Sequence, residues 1–208
     1  MIDIALLSLF IPTFFLVSIT PGLCMTLAMT LGMSQGYRKT LYMMIGELLG
    51  VATVAIACVY GVAALIMQSE QLFTVFKFAG GCYLIYLGIQ MWQSRGALAI
   101  SDTQQETSKA VNRRTLFSQG LITAIANPKG WAFMVSLLPP FINQDNAIAP
   151  QLTILLSIIL VSEFVCMSLY ALGGRTLRKL MSRGQNVKRL NQTSGSLMIV
   201  LGIWLGTN

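Results

Sequence analysis

Residues 117–142 read FSQGLITAIANPKGWAFMVSLLPPFI, an apolar run long enough to cross a bilayer that carries Asn127, Pro128 and Lys129 at its middle. A spanning helix needs about 20 mainly apolar residues. Proline removes one intrahelical hydrogen bond and clashes with the preceding turn, so the run cannot be one regular helix. Asn127 is suited to cap a new half-helix, with Pro128 at its favoured first position. Backbone groups freed at membrane depth must line a cavity or be buried in protein. The segment therefore predicts a broken membrane helix.

A second break stands near the N-terminus. Residues 17–25 read VSITPGLCM, and Pro21-Gly22 lies mid-way along an apolar segment. Glycine adds backbone freedom to the interruption, and Thr20 can bond the freed turn.

The whole chain agrees with a membrane reading. Of its 208 residues 55% are hydrophobic and 10% charged, against roughly 25% charged in an ordinary soluble domain. Six apolar segments qualify as spans, near 4–33, 40–67, 72–93, 116–142, 150–174 and 187–207. The net charge of +7 does not point to nucleic acid, because the basic residues gather beside the spans. Arg38 and Lys39 follow the first span. Arg95, Lys109, Arg113 and Arg114 follow the third, and Arg175, Arg178, Lys179, Arg183, Lys188 and Arg189 follow the fifth. Glu70 and Asp145 mark the other two connections, so 12 of the 14 basic residues fall on one side. The positive-inside rule makes that side cytoplasmic and puts both termini in the periplasm. With Asp3 and no basic n-region, the N-terminus reads as part of the first helix rather than as a cleaved signal peptide.

The two halves resemble each other. Gly81, Ile85, Leu87, Gly88 and Ile89 match Gly195, Ile199, Leu201, Gly202 and Ile203 at a constant offset of 114, and Pro21 and Pro128 hold similar places in spans one and four. Three spans per half force opposite orientations. The expected fold is therefore all-α and integral to the membrane, with six transmembrane helices as two inverted three-helix repeats. The repeats occupy 1–93 and 116–208, joined by a polar cytoplasmic linker at 94–115, and the first and fourth helices are broken.

Ionisable groups inside the spans mark a site by default. Lys129 adjoins the second break, Glu163 sits mid-span in LVSEFVCM, and Glu47 lies about two turns into the second span in MMIGELLGV. Lys129 can pair with Glu163 or Glu47, either as a structural ion pair or around a ligand. The chain has no His and no CxxC spacing among Cys24, Cys58, Cys82 and Cys166, so neither a metal nor a cofactor is expected. Enzymatic motifs such as HExxH and GxSxG are missing, which disfavours a membrane enzyme. Lys77, near the outer end of span three, can snorkel to the interface. Gly46 and Gly50 form a GxxxG that suits close helix packing within a protomer or in a homodimer. Trp92, Trp204, Tyr37 and Tyr42 read as interfacial belt residues, and Met25, Met29, Met33, Met43 and Met44 as packing.

Several stretches resemble the lysine exporter and threonine efflux (LysE/RhtB) family. They are Pro21-Gly22 in a broken first span, Gly32-x3-Gly36-Tyr37-Arg38, the Gly46/Gly50 helix, FKFAGGCYLIYLGIQMW at 76–92, and the Asn-Pro-Lys span at 117–142. The resemblance covers nearly the whole chain. It implies a proton-driven exporter of amino acids or their derivatives from a bacterial inner membrane, with the two broken helices flanking the substrate. Two features depart from the family pattern. Leu23 stands where Pro-Gly-Pro would place a second proline, and Glu47 is unusual in the second span. The expected substrate site comprises Thr20, Pro21, Gly22, Asn127, Pro128 and Lys129. Lys129 and a half-helix N-terminus would take a carboxylate. Glu47 or Glu163 would take the ammonium or the coupling proton, since a carboxyl between burial and a cation can titrate. A channel or a non-transporting scaffold subunit is the alternative.

Overall fold

A computed structural model describes residues 4–68, 70–93, 111–143, 146–182 and 184–207. Among them no strand occurs. The helices are α1 (Ile4–Ile19), α2 (Leu23–Gln35), α3 (Tyr37–Gln68), α4 (Glu70–Gln93), α5 (Arg113–Ile125), α6 (Pro128–Leu137), α7 (Ile148–Ser182) and α8 (Gly184–Thr207), with a 3-10 turn at Pro139–Phe141. Of the expected linker, residues 94–110 lie outside the described residues, as do Asp145 and the side chain of Lys77.

Both breaks fall where the prolines put them. The segment from Phe10 to Gln35 bends by 55° between Ile19 and Leu23, and Ala126-Asn127 separates α5 from α6. Among the described residues, Tyr37–Gly61 and Ile148–Gly174 are long and apolar enough to cross a membrane unaided, and the bent pair makes a third candidate. The connection expected around 175–186 is largely helical. α7 continues to Ser182 past a non-helical Gly174, and α8 begins at Gly184. The backbone kinks at Gly174, and a second helical segment carries the polar, basic sequence on to Ser182.

Glycines set the tightest helix contacts. α3 packs along α5 and α4 along α8. A side chain at Gly46 would strike the Phe117 backbone, and one at Gly120 would strike the backbones of Met43 and Glu47. On the other pair, Gly88 faces Gly195 and Ile199, while Gly81 and Ile85 face Gly202. Shifting 81, 85 and 202 by the 114-residue offset exchanges one set of contacts for the other. These glycine faces are thus filled within the chain.

The buried apolar residues form two clusters. One gathers Phe10, Phe14, Val54, Phe133 and Ile159; the other gathers Met25, Met29, Met43, Met44 and Met167. Along every element that contributes to both, polar groups fall between them. Ser18 to Gly22 lie between Val17 and Met25, Glu47 between Met44 and Val54, and Glu163 between Ile159 and Cys166. Asn127 and Lys129 occupy the same place between Leu116 and Phe133. The fold is two apolar halves with one polar layer.

Candidate functional site

That layer encloses a cavity of about 60 Å³, lined among others by Ser18, Thr20, Gly22, Leu23, Cys24, Glu47, Asn127, Lys129 and Glu163. A water needs about 10–15 Å³ of such space, so the cavity has room for several waters.

At the first break, carbonyls freed at the end of α1 find partners nearby. Thr20 Oγ1 donates to Leu16 O at 2.7 Å, and Ser194 Oγ donates to the same oxygen at 3.3 Å. The two hydroxyl oxygens lie 2.6 Å apart, so the Ser194 hydrogen is divided between Thr20 Oγ1 and Leu16 O. Tyr170 OH donates to Ile19 O at 2.8 Å. The start of α2 is treated differently. Its N-cap is Gly22, in extended conformation, and no side chain caps it. The first N–H groups of α2 therefore carry the positive end of the helix dipole to the cavity. Leu23 leads α2, and its N–H is a donor that a proline in that place would lack.

At the second break, Trp131 Nε1 donates to Ile125 O at 2.8 Å, closing the end of α5. Asn127 caps α6 as its type predicts, accepting from Lys129 N at 3.2 Å. Its Nδ2 reaches Cys24 Sγ at 3.9 Å, tying the two breaks together. Pro128 is the first residue of α6; its ring is exposed and does not line the cavity.

Three ionisable groups share this space. Lys129 Nζ stands 5.8 Å from the Phe133 ring centre, a cation–π distance. It also comes within 3.9 Å of where a Gly22 side chain would begin. Glu163 accepts from Ser18 Oγ at 2.9 Å. It faces Lys129 electrostatically, without a direct hydrogen bond between them among the described residues. The expected pairing is thus a facing across the cavity rather than a contact pair. Glu47 is 1% exposed; Cys24 lies beside it, and its Oε2 has no hydrogen-bond partner among the described residues. A buried acceptor left unpaired costs about 1–3 kcal/mol, and more when charged.

The structure thus brings Thr20, Gly22, Asn127, Lys129, Glu47 and Glu163 to one cavity. Thr20 spends its hydroxyl on the scaffold, and Pro21 acts by ending α1. Ser18, Cys24, Tyr170, Trp131 and Ser194 were not singled out from sequence. Ser18 sits three residues before Pro21 and Cys24 two residues after Gly22, so proximity to Pro21-Gly22 was the available signal. Nothing local marks Tyr170 or Ser194, which arrive from α7 and α8. No group of three or more His, Cys, Asp or Glu able to hold a metal occurs among the described residues.

Residues 15–208 match the LysE type translocator family. The chain belongs to the LysE family. A homoserine/homoserine lactone efflux protein of Salmonella typhimurium is 30% identical over 192 residues, covering 92% of this chain and 91% of the relative. An uncharacterized membrane protein of Vibrio cholerae is 31% identical, covering 91% of each. A leucine efflux protein of an Enterobacter species is 24% identical, covering 89% of this chain and 87% of the relative. No solved structure matches. LysE proteins are translocators rather than enzymes, in keeping with the missing enzymatic motifs.

Proposed function

We propose that this LysE protein is a secondary exporter of small amino acids or their derivatives, driven by proton antiport across the bacterial inner membrane. The observation that carries the reading is the convergence of two helix breaks, Lys129 and two glutamates on one small cavity between apolar halves. Half-helix ends and discontinuous helices at mid-membrane are how secondary transporters hold charged ligands. The substrate carboxylate binds Lys129 and the uncapped start of α2, with Gly22 allowing close approach. Asn127 and Pro128 hold Lys129 in place by organising α6. Relatives whose names carry homoserine, homoserine lactone and leucine efflux support a small amino-acid-like cargo.

The architecture we propose is six spans in two inverted repeats, 1–93 and 116–208, joined by a cytoplasmic linker, with both termini periplasmic. The exchange of contacts between Gly81–Gly202 and Gly88–Gly195 supports a two-fold axis passing between α4 and α8. Rocking of the repeats about that axis alternates access to the cavity. The distribution of Arg and Lys supports the orientation.

The test is efflux of preloaded radiolabelled homoserine, homoserine lactone, leucine and a wider amino-acid panel from cells making the protein, with and without an uncoupler. Selective loss from the cells that the uncoupler abolishes is expected. Non-saturating flux that ignores the uncoupler is a channel's signature and overturns the antiport reading. Export equal to that of empty cells throughout, with the protein inserted, overturns the exporter reading.

A further inference from the structure

Two carboxylates face the cavity, and their surroundings differ. We infer that Glu47 is the exchange carboxylate, holding the substrate's ammonium and the coupling proton in turn, while Glu163 is the fixed counter-charge of Lys129. This rests on the exporter reading above and assigns roles within it.

Glu163 is already provided for. Ser18 donates to its Oε1, and Lys129 faces it across the cavity. Glu47 has the opposite situation. It is almost wholly buried, and its Oε2 has no hydrogen-bond donor among the described residues. It needs a cation or a proton there, and either will serve. The groups facing it are Cys24 on α2, Lys129 on α6 and Glu163 on α7, while α5 presents the Gly120 backbone. Of these only Lys129 is a cation, and it faces Glu163. The contact of Gly120 with the Glu47 backbone fixes the residue's position on α3.

Antiport requires that substrate and proton exclude each other. One carboxylate that binds an ammonium only when deprotonated meets that requirement without any further device. From the cytoplasm, a small primary amine enters against ionised Glu47. On the periplasmic side a proton takes its place and the amine leaves. The protonated site returns and releases its proton inward, one proton for one substrate. Assigning the exchange to Glu163 instead would take away a carboxylate that already holds the Ser18 hydroxyl and faces Lys129. The ligand is a compact primary ammonium ion, in keeping with the small size of the cavity. A free carboxylate is an addition at the α2 end, not a requirement.

The test is counterflow of radiolabelled homoserine and homoserine lactone in proteoliposomes at several pH values. The lactone keeps the amine and lacks the carboxylate. In the wild type, protons are expected to raise the KM of both probes up to tenfold per pH unit while Vmax holds. E47Q is expected to lose counterflow of both, and E47D to restore it with proton competition. E163Q is expected to keep proton competition despite slower transport. Unchanged elution profile and Tm for each variant exclude misfolding. Counterflow and proton competition that persist in E47Q and vanish in E163Q overturn the assignment. Proton competition that disappears for the lactone in the wild type also overturns it, because the amine is then not the competing group. A wild type that moves neither probe, nor any amino acid of the efflux panel, overturns the exporter reading instead.

Discussion

The two breaks solve one problem in two ways. Each ends its first half-helix by giving a freed isoleucine carbonyl to an aromatic donor, Tyr170 on Ile19 and Trp131 on Ile125. They part at the start of the second half-helix. α6 is closed by its own Asn127, whereas α2 begins at a glycine with no side-chain cap. A cap spends the N–H groups that would otherwise meet an anion. In the proposed function the second break supports Lys129, and the first offers its uncapped N–H groups to the ligand.

The largest effect is expected from Lys129→Met. Export of homoserine should fall about 100-fold, the equivalent of about 2.8 kcal/mol, with normal insertion measured by membrane fractionation. Wild-type export by this variant would remove Lys129 from the site. Next comes Leu23→Pro, which keeps a residue suited to the first helical position and deletes one N–H from the open α2 end. Homoserine should bind about tenfold more weakly, the loss of about 1.4 kcal/mol, and the lactone should bind as before. Equal losses for both probes would mean that α2 does not meet the carboxylate.

Asn127→Ala removes the cap of the supporting break. Thermal unfolding in detergent should show a loss of about 1 kcal/mol, accompanied by weaker homoserine transport as Lys129 loses its fixed position. Gly22→Ser does the converse. The extended backbone at Gly22 accepts a serine cap, and its added Cβ meets Lys129 Nζ only at ordinary contact distance. Stability should rise by a few tenths of a kcal/mol, while homoserine affinity drops because the serine oxygen occupies the N–H groups. A stabilised variant with undiminished affinity would show that the two breaks do not differ in function.

Much of this was legible in the chain itself. The helices cover the apolar segments, two of them being candidate spans and the bent pair a third among the described residues. Pro21 stands just past the end of α1 and Pro128 opens α6, whereas Pro12 is accommodated inside α1. The reading of Asn127 as cap was local chemistry, decided by three adjacent residues. The polar middle positions of Glu47, Lys129 and Glu163 were visible because charge stands out in an apolar run.

Tertiary structure decided how those groups divide the work. Whether Lys129 touches a glutamate depends on how α3, α6 and α7 are arranged, and they hold it across a cavity instead. Whether Thr20 is free depends on Ser194, which lies 174 residues away. That Glu163 accepts from a hydroxyl depends on Ser18, brought to it from another helix. Sequence fixes the bonds a residue can make with its own turn, because those partners are always within reach. The bonds of a buried charge are made between helices, and only their packing says which partner arrives.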